Sequence, residues 1–367
     1  LTNLGLALWE VRRFGEAIDA HTQAADIFRE SGDRHIEAIA RNNLGIALRE
    51  VRRFGEAIDA HTQAADIYRE SGDRHGEAEA LNNLGIALRE MSRFGEAVDA
   101  HTQAADIYRE ANDRHGEAEV LTNLGAALQG VRRFGEAVAA LTKAAGIFRS
   151  LGDGHREGRA LNNLGAALQG VWRFGEAVAA HTQAADIFRE SGDRHSEGGA
   201  LGNLGAALLG VRRFGEAIDA HTEAADIFRE SGDRHGEAEA LNNLGIALRE
   251  MSRFEEAVAA LNRAVAIYRL LAGGNVSGPE PLLARSLLLL ALSGLDATQD
   301  RVLPGTLSAA EEAADLFGRL AAEHPTVFTG LLRTSLELLA GVLELLHRTW
   351  EAERVRCRLA DMAPRRE

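Results

Sequence analysis

The chain has 367 residues, 46% hydrophobic and 26% charged, with a net charge of −14 at neutral pH. That acid excess argues against a general nucleic-acid or anionic-membrane binder and favours partners of basic or neutral character. A single cysteine, Cys357, excludes an internal disulfide framework or a cysteine metal site and fits a reducing, cytoplasmic setting.

From the first residues onward the chain repeats itself. Asn-Leu-Gly recurs at Asn3, Asn43, Asn83, Asn123, Asn163, Asn203 and Asn243, always 40 positions apart. The phrase R-F-x-E-A returns in the same register, from Arg13-Phe14 to Arg253-Phe254. A fixed period of this length means one supersecondary unit stacked on copies of itself, with an extended concave surface suited to binding rather than catalysis. The first copy starts at Leu1 without the lead-in Glu77-Ala78-Glu79-Ala80 that precedes Leu81 in the third, which reads as a piece of a longer protein. Lys143 is the only lysine, and arginine use of this kind points to a high-GC genome such as an actinobacterium's.

The third copy shows what the unit is. Leu81, Leu84, Ala87 and Leu88 follow helical spacing, and after Met91-Ser92-Arg93 so do Phe94, Ala97, Val98, His101, Ala104, Ala105 and Tyr108. Two helices joined this tightly are antiparallel neighbours. In the linker Ser31-Gly32-Asp33-Arg34 and its copies, Gly suits a left-handed helix end and Asp the cap of the next helix. Residues 1–278 hold no proline, consistent with uninterrupted helices. Gly5 and its copies to Gly245, with Ala17 and its copies to Ala257, fall on the packed stripes, where small side chains let helix axes approach.

Residues 1–272 thus read as seven 40-residue units and 273–281 as a Gly/Pro-rich break. Residues 282–367 read as divergent copies of the hairpin, with helices at Leu282–Leu292, Ser308–Ala322, Val327–His347 and Trp350–Met362 around an irregular Gly294–Gly305 stretch. These last helices serve as a C-terminal cap or as a contact surface. No alternating strand pattern is found, and the longest apolar run, Ser286 to Leu295, is too short for a bilayer.

Leu-Gly followed by Leu three residues on, then Ala17 and Ala24, resembles the tetratricopeptide repeat. The 40-residue length with N-L-G and G-D-R is similar to Pins-type spindle-orientation adaptors and kinesin light chains, and to long arrays in actinobacterial regulators. Leu8 and His21 stand where that pattern has aromatic residues, and its terminal proline is absent. The resemblance implies an all-α, right-handed superhelix, an α-solenoid of antiparallel helix pairs.

It also implies that first helices line a concave groove, so that positions 2, 3, 6, 9 and 10 of each copy face a ligand. In the related adaptors, asparagines of this segment grip the backbone of an extended peptide. That makes Asn43, Asn83, Asn123, Asn163, Asn203 and Asn243, with Asn82 and Asn162, candidate peptide-binding residues. A carboxamide matches a peptide unit as both donor and acceptor, and would equally well bond a neighbouring helix. Arg49 and Arg89 give way to Gln129 and Gln169 along the same face, and Glu50 and Glu90 to Gly130 and Gly170, which is a graded binding surface or neutral drift.

The histidines do not point to a metal. His21, His61, His101, His181 and His221 share a slot with Leu141 and Leu261, so the slot is a packing position. The linker series, His35, His75, His115, His155, His195 and His235, has successive members about 10 Å apart, too far to share a zinc ion. Glu16, Asp26, Glu30 and Glu37 read as a solvated face, and phosphate-binding or nucleophile motifs are missing. The expected function is a non-catalytic protein- or peptide-binding scaffold without cofactor. Two alternatives stand beside it: the sensor arm of a larger signalling protein, whose remainder would be an NTPase, protease or transcriptional regulator, and a self-assembling solenoid.

Overall fold

The computed structural model describes residues 1–272, 280–296 and 301–362. Their helices are α1 (Thr2–Glu10), α2 (Phe14–Ser31), α3 (Arg34–Glu50), α4 (Phe54–Ser71), α5 (Arg74–Glu90), α6 (Phe94–Glu110), α7 (Arg114–Gly130), α8 (Phe134–Leu151), α9 (Gly154–Gly170) and α10 (Phe174–Ser191). There follow α11 (Arg194–Gly210), α12 (Phe214–Ser231), α13 (Arg234–Glu250), α14 (Phe254–Ala272), α15 (Glu280–Ser293), α16 (Thr306–Glu323), α17 (Pro325–Leu345) and α18 (Thr349–Asp361). The chain divides into two units, Leu1–Ile187 and Phe188–Glu367, so the boundary falls inside α10 rather than at the end of the regular repeats. Each unit is built from helix pairs.

The ends of each helix follow from local chemistry. In the third copy the Gly76 amide donates to Asp73 Oδ1 at 2.9 Å, capping α5. The preceding α4 ends at Gly72, whose φ of 75° needs no β-carbon strain. The reversal between α5 and α6 also turns on a left-handed residue, but here it is Ser92 at φ 58°, with Arg52 and Arg132 in neighbouring copies. The R-F-x-E phrase then closes the first turn of the second helix: Arg93 Nε and Nη2 donate to the two oxygens of Glu96 at 2.7 and 2.6 Å.

Between helices the repeat's glycine and histidine interlock. His61, His101, His181 and His221 are fully buried. A β-carbon on Gly85 would sit 2.6 Å from the His101 ring, and one on Gly245 2.6 Å from Leu261. No other residue leaves room for the ring, which explains why the two positions recur together.

One sequence expectation is overturned here. Glu37, with Glu77, Glu117, Glu197 and Glu237, is buried rather than part of a solvated face. The reason is its place in the first turn of α3 and its counterparts, against the end of the second helix. Glu77 Oε1 accepts from Arg69 Nε at 2.8 Å and Oε2 from Arg74 Nη1 at 2.6 Å, so one buried carboxylate ties two arginines. Glu16 and Glu30 are exposed as expected, and Asp26 is half-buried. Glu77→Gln keeps the shape and removes the charge, and should cost about 1–3 kcal/mol in urea denaturation. An unchanged midpoint would mean the clamp contributes nothing.

In the second unit α15 opens at Glu280, so residues 280 and 281 are helical and not part of the break. Residues 273–279 lie outside the described residues. Leu295–Asp296 pairs antiparallel with Arg301–Val302, a two-residue ladder where no strand was expected; residues 297–300 lie outside the description. The α17–α18 reversal repeats the regular hairpin: His347 has φ 57°, and Arg348 donates to Glu351 at 2.6 Å through both nitrogens. The phrase Arg348-Thr349-Trp350-Glu351-Ala352 is therefore a diverged R-F-x-E-A, with Ala352 buried as its counterparts are. By length and composition α17 could cross a membrane, and among the described residues it alone could. Here its apolar stripe, including Leu336, Leu339 and Leu343, is buried in the protein.

Candidate functional site

Three positions of each first helix, 2, 3 and 9, decide what its open face presents. Position 2 is not open. Asn42 and Asn82 are buried and Asn162 is half-buried. In the second copy Asn42 is a hub: its Oδ1 accepts from His61 Nδ1 at 2.9 Å and from Asn83 Nδ2 at 3.3 Å, and its Nδ2 donates to Glu79 Oε1 at 3.0 Å. Asn82 Oδ1 likewise accepts from Asn123 Nδ2 at 3.0 Å. Asn162 Oδ1 accepts from His181 Nδ1 at 2.8 Å. Asn82 and Asn162 thus stand as internal partners; burial on the hairpin seam, not groove exposure, fixes them.

Position 3 is half-buried in Asn43, Asn83, Asn123, Asn163, Asn203 and Asn243. The row splits according to what precedes it. Asn83 and Asn123 each find an asparagine 41 residues back and donate to it. Asn163 instead faces a copy with Thr122 in that place, and Thr122 donates its hydroxyl to Ala118 O at 2.9 Å. Among the described residues the carboxamides of Asn43, Asn163 and Asn243 have no hydrogen-bond partner.

Position 9 differs in kind between copies. Gln169 Nε2 donates to His181 Nε2 at 3.0 Å, so that this ring is bonded at both nitrogens. Gln129 Nε2 reaches the backbone oxygen of Asn163 at 3.4 Å. Arg49 and Arg89 are half-buried and take part in no ion pair or hydrogen bond among the described residues. Burial lowers the Arg89 pKa, Glu90 opposes that, and the like charge of Arg49 adds to it. His61, held neutral by burial and by Arg49, is pushed down to about 3. Where position 10 is glycine, the ring of Phe94 or Phe134 in the preceding hairpin occupies the place a β-carbon on Gly130 or Gly170 would take.

Elsewhere the linker histidines stack edge-on against aromatic rings, His75 on Tyr108 at 5.5 Å and His195 on Phe228 at 5.7 Å. Among the described residues no three His, Cys, Asp or Glu side chains converge on a point.

Helix hairpins stacked in succession define an all-α repeat scaffold of the kind that serves protein interaction. A tetratricopeptide repeat profile matches residues 1–70, 51–110, 116–190 and 196–269, and the chain belongs to that family, whose members are generally non-catalytic interaction scaffolds. The fold is also that of a signal transduction ATPase with numerous domains and a tetratricopeptide repeat sensor, from Pyrococcus horikoshii. That match has 14% identity and a TM-score of 0.66, over 94% of this chain and 52% of the other. The apo quorum sensor NprR from B. thuringiensis is similar at 12% identity and TM-score 0.57, over 97% and 99% of the two chains. A Rap protein complexed with competence and sporulation factor gives 15% identity and TM-score 0.50, over 98% and 96%. No curated relative matches the chain.

Proposed function

We propose that the first-helix face of the unit Leu1–Ile187 binds an extended peptide or protein segment without catalysing a reaction. The observation that carries this reading is the unpartnered, half-buried carboxamides of Asn43 and Asn163. Neither carboxamide is sealed off by the protein, and a peptide backbone supplies it with both a donor and an acceptor whatever the peptide's side chains. Asn83, Asn123 and Asn203 support the same row, Gln129 and Gln169 its neutral stretch, and Asn243 the corresponding place in the second unit. The setting we propose is cytoplasmic, on the single Cys357, and the net charge of −14 favours a partner of basic or neutral overall character.

Panning a displayed peptide library on the wild type, and re-measuring the enriched peptides on Asn43→Ala/Asn163→Ala, tests the row. Two hydrogen bonds at about 0.5–1.5 kcal/mol each predict a roughly 10- to 100-fold loss of affinity. Helicity should be unchanged, because alanine is the better helix former. Equal binding by both proteins would make the row structural.

A second reading takes the chain as the sensor arm of a larger signalling protein. It is favoured by the match to the P. horikoshii ATPase, whose own length is only 52% covered. The complete reading frame decides it: no effector domain on either side would rule this reading out.

A further inference from the structure

We infer that the last three helices hold a small-molecule site: a cleft between α16 and α18, floored by α17, that takes a free α-amino acid with a cationic side chain. The cleft lies wholly within the unit Phe188–Glu367 and includes no member of the asparagine row, so it does not depend on the peptide-binding reading.

Its volume is about 370 Å³, within the roughly 300–1,000 Å³ of small-molecule sites. The floor is aliphatic, made by the buried Leu336, Leu339 and Leu343 of α17. One wall is acidic: Glu311 and Asp315 stand one turn apart on α16, both exposed. The opposite wall is basic: Arg354 and Arg358 stand one turn apart on α18, also exposed. None of these four side chains takes part in an ion pair or hydrogen bond among the described residues, although Arg354 lies over the Trp350 ring at 4.9 Å. Arg358 leans toward α16, since a β-carbon on Gly318 would sit 3.1 Å from its Nη2. Two carboxylates thus face two guanidiniums across a gap that no direct pair closes.

That separation selects the ligand. A simple anion in the cleft would be opposed by the carboxylates of α16, and a simple cation by the arginines of α18. A molecule with a cation at one end, a carboxylate at the other and methylenes between satisfies both walls and covers the leucines. The basic wall also offers an acceptor for an α-ammonium. Glu351 is half-buried and accepts from Arg348 at 2.6 Å on each oxygen, and a carboxylate oxygen has lone pairs for a further donor. Carboxylate to Arg354 and Arg358, α-ammonium to Glu351 and side-chain cation to Glu311 and Asp315 together describe lysine or arginine. The basic wall is peculiar to this hairpin. Counted from the arginine that opens each second helix, all seven regular copies have aspartate or alanine where α18 has Arg354.

Isothermal titration calorimetry on the whole chain tests this with L-arginine and L-lysine as ligands. Three truncated probes accompany them: L-norleucine lacks the side-chain cation, agmatine the carboxylate, and Nα-acetyl-L-arginine the α-ammonium. Arginine, lysine or both should bind at least roughly tenfold more tightly than any truncated probe. Glu311→Gln/Asp315→Asn should weaken that binding at least roughly tenfold, and so should Arg354→Gln/Arg358→Gln. All four side chains are exposed, so helicity and melting temperature should stay as in the wild type. Glu323→Gln/Glu337→Gln removes two exposed carboxylates outside the cleft and should leave binding unchanged, which separates a site from the general pull of an acidic chain on cations. Absence of heat with both amino acids at millimolar concentration would overturn the inference. Equal binding of any truncated probe, full binding by either cleft variant, or an equal loss in the control variant would overturn it as well.

Discussion

Lowering the pH from 6.5 to 4.5 should remove most of the protein's folding free energy, and the buried histidines of the second helices are the cause. Burial pushes His61 and His101 down to about 3, and His181 and His221 to about 4. In the unfolded chain each titrates near 6.5. Between the folded and unfolded values the unfolded state binds more protons, so stability falls as pH falls. Each displaced histidine contributes about 1.4 kcal/mol per pH unit in that window. Two units below 6.5 this amounts to about 2–3 kcal/mol per residue and on the order of 10 kcal/mol for four, comparable to the whole stability of a domain. His101 and His221 are the informative pair, because both ring nitrogens of each lack partners. The chain itself places Leu141 and Leu261 in the same slot. His101→Leu/His221→Leu should therefore raise stability at pH 7 and reduce the dependence by about 2–3 kcal/mol per pH unit between pH 4.5 and 5.5. Urea midpoints across that range give the answer, and an unaltered slope would place acid sensitivity elsewhere.

The helix boundaries were readable because each end carries its own signal: Asp73 for a start, Gly72 for a stop, and the Arg93–Glu96 clamp for the next start. The histidine slot was readable too, since Leu141 and Leu261 substitute there and a leucine cannot replace a metal ligand. What failed were properties set by two hairpins together. Glu37 has the spacing of a solvated ion-pair residue, and only the stacking of its turn on a neighbouring helix end buries it. Position 2 of the first helix looks open on a helical wheel, yet Asn42 and Asn82 are closed over by adjoining helices. The asparagine row was visible as a row. Its division into bonded members (Asn83, Asn123) and free ones (Asn43, Asn163) depends on a residue 41 positions earlier, a separation no single-helix pattern reports. The αL reversal at Ser92 escaped for another reason: the usual glycine signal is absent, and the residue there is serine, arginine or, at Trp172, tryptophan.

Gly125→Leu should destabilise the protein by about 3 kcal/mol or more, at the top of the range for overpacked cores. A β-carbon at Gly125 would already overlap the side chain of Leu141, which is itself wholly buried. The larger side chain can be accepted only if α7 and α8 part, and that breaks the crossing on which the hairpin depends. Two comparisons separate this from helix propensity. Gly135 has nothing within 4 Å of its β-carbon position, so Gly135→Ala should stabilise by up to about 1 kcal/mol, whereas Gly125→Ala should destabilise. In the Gly125→Leu background, Leu141→Ala should recover part of the loss, because the new side chain occupies the volume the old one leaves. The double-mutant cycle should then show coupling of about 1–3 kcal/mol. Strict additivity in urea denaturation would mean that the two side chains do not share one space, and that the interlock of glycine with its slot partner is not what holds the hairpin.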